Sequence, residues 1–307
     1  MSKLVVLGSV NADHVLQVPN FPRPGETLHG HNYAVIAGGK GANQAVAAAR
    51  LGADVDFIAC VGDDSFGLDI RKKFSDDGIN VDAVMVEKNI PTGIAMIQVS
   101  ASGENSICIS AEANACLTVA RLQAHLSKIS DADMLLMQLE TPLETVLAAA
   151  QVAHKSATKV VLNPAPAQPL SDELLALVDI ITPNETEAQL LTGIIVCDDS
   201  SAQQAADILH KKGIKQVLIT LGKEGVWLSE NNHGQRISGF SVKALDTTAA
   251  GDTFNGAFLT GLLKGKPLQD AIMFAHAAAA ITVTAMGAQT SIPYQHQVEQ
   301  FLTEVCV

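Results

Sequence analysis

The chain has 307 residues, 48% of them hydrophobic and 17% charged, and a formal net charge of −12. That composition describes a well-buried globular protein and excludes a disordered one. The acidic balance excludes a nucleic-acid partner, whose phosphates need a basic stripe, but leaves room for a nucleotide held by local N–H groups and a metal. At roughly 150 residues per domain the length suits one large or two modest domains. Cys60, Cys108, Cys116, Cys197 and Cys306 are scattered without a C-x-x-C pair, the pattern of reduced, buried thiols in a cytosolic protein. The first residues enter a strand with no basic leader, and no apolar run reaches the ~18 residues of a membrane helix. The expectation is a soluble, cytoplasmic protein with no membrane partner.

In chain order, Lys3 to Gly8 is a continuous apolar run, as expected of a central strand buried on both faces. Asn11 and Asp13 follow at its C-terminal end, where open α/β sheets place ligand groups. From 14 to 36 the pattern breaks into short alternating pieces punctuated by Pro19, Pro22, Pro24 and Gly25, which predicts antiparallel strands. Ala37 to Gly52 reads as a glycine turn entering an alanine-rich helix. Strand 55–61, helix 66–77 and strand 81–86 follow. A second alternating pair, 93–99 and 105–110, joined at Ser102-Gly103, reads as a hairpin.

The β-α rhythm then resumes with helix 118–128, strand 133–138, helix 142–154, strands 158–163 and 179–182, helices 185–191 and 200–211, and strand 215–220. A hairpin near 225–239 precedes helices 249–263, 267–285 and 294–303. This alternation predicts an α/β fold with a mainly parallel sheet covered on both faces. No linker or repeat divides the chain. The interrupted segments 14–36 and 91–110 could pair into a small accessory sheet, giving one domain, 1–307, with a flap.

The chemistry concentrates in Ala244–Leu263. Phe254, Ala257, Phe258 and Leu262 recur at helical spacing, and Ala249, Ala250 and Gly251 stand where that helix should begin. A helix start has unpaired N–H groups and a partial positive charge, and small side chains let an anion approach them. Asp252, in the first turn, could take a proton from an alcohol attacking a phosphorus seated there; alone, it could equally complement the helix dipole. The chain lacks both G-x-x-x-x-G-K-[ST] and G-x-G-x-x-G, so Walker-type and dinucleotide-binding readings lose their signature. Asn11, Asp13, Gly39, Lys40, Asn43 and Glu140 are polar or glycine positions beside strands and turns, suited either to a polyhydroxylated ligand or to ordinary loop capping. In T-P-N-E-T-E at 182–187, Asn184 and Glu187 fit a capping box, and also the water shell of a Mg²⁺ ion beside phosphates. His276 reads on composition as a buried helix histidine.

Together these stretches resemble the ribokinase-like carbohydrate kinases. G-G-K-G-A-N at 38–43 and D-T-T-A-A-G-D-T-F-N-G-A at 246–257 resemble that family's two signatures. N-A-D at 11–13, Q-L-E at 138–140, N-P-A-P-A at 163–167, T-P-N-E-T-E at 182–187 and T-L-G-K-E-G at 220–225 extend the likeness over the whole chain in order. The resemblance implies a three-layer α/β sandwich and a small β-lid that covers the sugar and pairs with a second subunit's lid in a homodimer. It implies ATP-dependent phosphorylation of D-ribose at the 5-hydroxyl. Asn11, Asp13, Gly39, Lys40, Asn43 and Glu140 would bind the sugar. Asp252 would be the catalytic base, with Ala249, Ala250 and Gly251 as anion hole. Asn184, Thr220, Gly222, Gly225 and His276 would line the ATP site, with Glu187 near Mg²⁺. A monovalent-cation site for K⁺ would draw on Asp246, Thr248, Thr282, Ala285, Gly287 and Ser291, mostly through backbone oxygens. The departures are Thr248 and Thr282, where more apolar residues are expected, and Glu112, where a glycine is expected near the lid. The rival readings are the same chemistry on another sugar or a nucleoside, and a catalytically silent sugar-binding protein.

Overall fold

The computed structural model describes residues 2–231 and 233–305; the expectation for Cys306 lies outside them. Among these residues the strands are β1 (Lys3–Leu7), β2 (Asn11–Val18), β3 (His31–Gly38), β4 (Asp54–Gly62), β5 (Val84–Glu87), β6 (Gly93–Ser100) and β7 (Asn105–Ser110), followed by β8 (Met134–Met137), β9 (Lys159–Leu162), β10 (Ile180–Ile181), β11 (Gln216–Thr220), β12 (Val226–Glu230) and β13 (His233–Ile237). The helices are α1 (Lys40–Arg50), α2 (Ser65–Asp76), α3 (Val119–Leu122), α4 (Leu126–Ser130), α5 (Leu143–Lys155) and α6 (Asp172–Leu175), then α7 (Glu185–Thr192), α8 (Asp199–Lys211), α9 (Ala250–Leu263), α10 (Leu268–Thr282) and α11 (Gln295–Val305).

Nine strands form the central sheet in the order β13-β12-β11-β10-β9-β8-β1-β4-β5. All pairs from β11 to β5 are parallel, and the edge hairpin β12–β13 is antiparallel to β11. Alternation along β1 shows why its sequence is an unbroken apolar run. Leu4 and Val6 enter the core that α1, α2, α9, α10 and α11 cover, while Val5 and Leu7 enter the core beneath α3–α8. The result is the three-layer α/β arrangement expected from the sequence.

The other four strands form a separate sheet, β3-β2-β6-β7. Its two antiparallel pairs are joined by the parallel pairing of β2 with β6, from Asn11↔Gly93 to Val18↔Ser100. Asn11 and Asp13 belong to β2 itself, not to a loop after β1, because the alternating pattern begins three residues before residue 14.

Two further expectations are corrected. The helix expected at 118–128 is three short pieces, α3, a 3-10 turn at Gln123–His125 and α4, broken where His125 leaves helical geometry at φ −121°. The thiols are not uniformly buried: Cys60 is, Cys116 is half-buried, and Cys108 and Cys197 are exposed. Cys108 lies on β7, whose residues all face solvent, so the residue type gave no warning.

Helices α1 and α9 cross with their backbones almost touching at Gly256. A Cβ there would lie 2.7 Å from both Ala47 Cβ and Gln44 O and 2.8 Å from Ala48 N. This close approach brings the first turn of α1 against the first turn of α9. Gly256→Ala is therefore expected to destabilise the protein by about 1–3 kcal/mol through overpacking, outweighing the helix-propensity gain of about 1 kcal/mol. A lower denaturant midpoint at unchanged m-value checks this.

Candidate active site

Where parallel strands end, their carboxyl edges deliver polar groups to one cleft, and two helix starts close it. Gly39, at φ 92°, turns the chain from β3 into α1, so Lys40 opens that helix with its N–H 3.1 Å from Glu140 Oε2. Glu140 also accepts Ser9 Oγ at 2.5 Å. Asn11 is held by Asn114, whose Nδ2 donates to its Oδ1 at 2.8 Å. Asp13 lies against Gly38, where a Cβ would fall 2.0 Å from its Oδ2. Asp13 Oδ1 and Asn43 Oδ1 are buried and have no hydrogen-bond partner among the described residues. Orphaned oxygens of this kind demand an explanation, and a ligand bearing donors supplies one.

Asp252 is 9% exposed in the first turn of α9. Its Oδ2 accepts Asn43 Nδ2 and its Oδ1 accepts Gln44 Nε2, both at 2.9 Å. Ala249, the N-cap, takes φ 59° without any capping side chain. The Ala250 N–H reaches Thr247 O at 3.3 Å, while that of Gly251 meets no backbone acceptor among the described residues. A Cβ on Gly251 would meet nothing within 4 Å, so the space before this helix start is open. That space is a cavity of about 230 Å³ lined by Lys40, Asn163, Ala165, Thr182, Asn184, Glu187, Thr220, Thr247, Asn255 and the whole of Ala249–Asp252.

Asn184 and Glu187 form the capping box of α7: Asn184 Oδ1 accepts Glu187 N, and Glu187 Oε2 accepts Asn184 N, each at 2.8 Å. Thr220 N–H donates to Pro183 O, placing Thr220 beside them. Gly222, Gly225 and His276 lie off the cavity wall. Gly225 packs on Ile237–Gly239, where its Cβ would strike Ile237 O at 2.2 Å, and His276 Nε2 pairs with the same carbonyl at 3.2 Å.

The electrostatics follow from burying four carboxylates around one ammonium. Burial, then the charges of Glu140 and Asp252, push the Asp13 carboxyl up to about 7, with Lys40 opposing. Burial disfavours charge on Lys40, but Asp252, Glu140, Glu187 and Asp13 outweigh it and raise its pKa. Burial raises Glu187 despite the Asn184 N–H and Lys40. Burial also pulls His276 down to about 4 against its bond to Ile237, so the ring is neutral.

Behind α9, Asp246 gathers a loop. Its Oδ1 accepts Thr248 N and Oγ1 at 2.9 and 2.6 Å, and its Oδ2 accepts Gly287 N at 2.9 Å. Partial burial disfavours its charge, yet these donors prevail and hold the carboxyl below the usual range. Asp246 N–H points to Val283 O at 3.3 Å, and Ala285 N–H to Thr282 O at 3.2 Å. Thr282 Oγ1 turns into the core toward Thr253, and Ser291 Oγ donates to Ala288 O. Among the described residues no group of three His, Cys, Asp or Glu side chains is arranged to hold a metal ion.

Several site residues carry no local sequence signal of their role. Gln44, Asn163, Asn255 and Thr182 interlock beneath Asp252. The available hint for Gln44 is helical spacing: it lies four residues after Lys40, a polar residue inside an alanine run. Asn163 and Thr182 each follow directly on a buried strand. Glu112, expected to crowd the lid, takes φ 45° in the left-handed region that favours glycine, and its carboxylate accepts Ser110 Oγ.

The sequence profile of the pfkB family carbohydrate kinases matches residues 1–295. The chain is 56% identical over 299 residues to a ribokinase of Haemophilus influenzae, covering 97% of this chain and 98% of that one. It is 43% identical over 301 residues to a ribokinase of Staphylococcus aureus, covering 97% and 99%. Among solved structures, Arabidopsis thaliana ribokinase complexed with ribose and ATP superposes with a TM-score of 0.91 at 34% identity, covering 98% and 99%.

A raised Asp13 carboxyl binds its proton more tightly in the folded than in the unfolded chain, so its contribution to stability is full below about pH 4 and is lost as pH rises to about 7. Ligand-free Asp13→Asn should therefore gain melting temperature on wild type across that window, by about 2 °C or more at pH 8 relative to pH 4. Thermal melts of both proteins from pH 4 to 8 check the sign.

Proposed function

Because the chain belongs to the pfkB family of carbohydrate kinases, we propose that it transfers the γ-phosphoryl group of ATP to the 5-hydroxyl of D-ribose. The observation that carries this reading is the placement of Asp252. Its carboxylate stands between oxygens without partners among the described residues and an open cavity at a helix start whose Gly251 N–H has no backbone acceptor there. Asn11, Asp13, Lys40, Asn43 and Glu140, with the backbone at Gly39, orient the sugar hydroxyls. Asp252 takes the 5-hydroxyl proton as that oxygen bonds to the γ-phosphorus in line and the bond to the ADP oxygen breaks. The N–H groups of Ala249, Ala250 and Gly251 and the dipole of α9 receive the charge on the transferring group.

Asn184, Thr220, Gly222, Gly225 and His276 form the nucleotide side, and a neutral imidazole suits a contact with an uncharged base. Hard oxygen donors at Glu187 and Asn184 fit a Mg²⁺ ion that keeps several waters and neutralises phosphate charge. An ionised Asp246 among the backbone oxygens of Thr248, Thr282, Ala285 and Gly287, with Ser291, fits a monovalent cation such as K⁺, which would steady the helix start from behind. The four-stranded sheet acts as a lid over the sugar. Its residues Tyr33, Val35 and Met96 are exposed on one face, and Ile107 and Ile109 on the other; exposed apolar side chains on so small a sheet support pairing with a second copy in a homodimer. No helix among the described residues is long and apolar enough to cross a membrane.

Sugar-dependent ADP release with Mg-ATP is expected on ribose, stronger in potassium than in sodium, and weak or absent on deoxyribose, fructose and adenosine. Asp252→Asn should lose turnover by about three orders of magnitude or more while ribose binding, read by calorimetry, is retained. Near-normal kcat in that variant would remove Asp252 from the base role, and silence on every sugar would favour a binding protein.

A further inference from the structure

The amides beneath Asp252 have an orientation that one unambiguous acceptor fixes. The backbone carbonyl of Thr182 can only accept, so the group 3.0 Å from it on Asn163 is the Nδ2 amide. Asn163 Oδ1 then faces Gln44, and the atom 3.0 Å away must be the donor Nε2. The second hydrogen of that same Nε2 goes to Asp252 Oδ1 at 2.9 Å. Gln44 Oε1 is left to accept, and Gln138 Nε2 donates to it at 2.6 Å. Gln44 is fully buried and Gln138 is 1% exposed, so water cannot substitute for either bond. A chain of four groups, anchored on the main chain, thus presents a fixed N–H to one oxygen of the carboxylate.

The other oxygen is treated differently. Oδ2 is bonded by Asn43, whose own Oδ1 has no partner among the described residues and whose amide belongs to the sugar-facing group. A sugar hydroxyl can take over the Oδ2 position when Asn43 turns to the ligand, whereas Oδ1 is held by Gln44, which is fully buried.

We propose that Gln44 is a positioning residue for phosphoryl transfer: it holds Asp252 Oδ1 from below and leaves Oδ2 as the atom that takes the sugar proton. The inference rests on the kinase reading above. In the step it serves, the proton moves from the sugar hydroxyl to Oδ2, the sugar oxygen bonds to phosphorus, and the phosphorus–oxygen bond to ADP breaks. Gln44 gives up no proton; it supplies orientation and a fixed donor to the carboxylate. Asp13 from β2, Glu140 after β8 and Glu187 from α7 also face the cleft, with Lys40 from α1 as their counter-charge.

The test compares wild type with Gln44→Met, which keeps length and volume but removes the donor, and with Gln138→Met, which removes the donor to Gln44 Oε1 and loosens the amide. Gln44→Met should lower kcat about 10- to 100-fold, the worth of one hydrogen bond to a charged group. Ribose affinity by calorimetry should stay within about threefold, and the acid limb of the kcat–pH profile should move to higher pH by about one unit. Gln138→Met should move the same limb in the same direction by less, and it serves alone if Gln44→Met does not fold. A folded Gln44→Met with wild-type kcat and pH profile overturns the inference. So does a loss of kcat accompanied by an equal loss of affinity and an unmoved limb, which is what general loosening of the site would give. An unmoved limb in Gln138→Met, where that variant alone is available, overturns it as well. Wild-type turnover on ribose, measured alongside, tells failure of this inference from failure of the kinase reading.

Discussion

The structure depends on holding four carboxylates and one ammonium in a single, largely dry cleft. Asp13, Glu140, Glu187 and Asp252 surround Lys40 and together raise its pKa against burial. Charges stripped of water repel strongly unless counter-charges or donors are fixed close by. This fold fixes them in advance. Lys40, Asn43 and Gln44 come from the first turns of one helix, and the opposing helix start brings Asp252 with its dipole. The ligand-free site is left strained in charge, with Asp13 near neutrality at its raised pKa. A polyhydroxylated ligand relieves that strain by giving the orphaned oxygens donors.

The central sheet makes such a cleft possible. Parallel strands end together at one edge, so residues far apart in sequence arrive side by side. Glu140 follows β8, Asn163 follows β9, Thr182 and Asn184 follow β10, and Thr220 ends β11. Asn11 and Asp13 reach the same place by another route, because β2 leaves the central sheet to found the second one. The polar groups of the cleft therefore come partly from the ends of the central strands and partly from the smaller sheet. The two donors to Asp252, Asn43 and Gln44, lie outside that small sheet, on α1.

The sequence made the architecture legible because burial on both faces leaves a distinctive trace: unbroken apolar runs such as Leu4–Leu7, alternating with helices that stop at glycine. It also marked the helix start at 249–252, since small residues followed by an acid have a local physical meaning. It misled where the deciding contact is tertiary. The break at His125 has no Gly or Pro to announce it. Asn11 and Asp13 read as a loop because a strand pairing with β6, some eighty residues away, cannot be seen from one end. Gln44 was invisible for the same reason. In a helix an isolated glutamine reads as a solvated face, and only the arrival of Asn163, Gln138 and Asp252, each about a hundred residues or more away, makes it a buried junction.

That the nearest supports of Asp252 are amides, and not the lysine one turn away, has a chemical logic. An ammonium in direct contact would keep the carboxylate ionised so firmly that it became a poor proton acceptor. Neutral N–H donors stabilise the anion less, yet fix its orientation as well, since two bonds from adjacent residues of α1 define the plane of the carboxylate. Lys40 is left to balance the remaining acids and, on the kinase reading, to meet the sugar. Orientation comes from dipoles and neutralisation from charge, and separating the two lets a buried carboxylate remain both well placed and reactive.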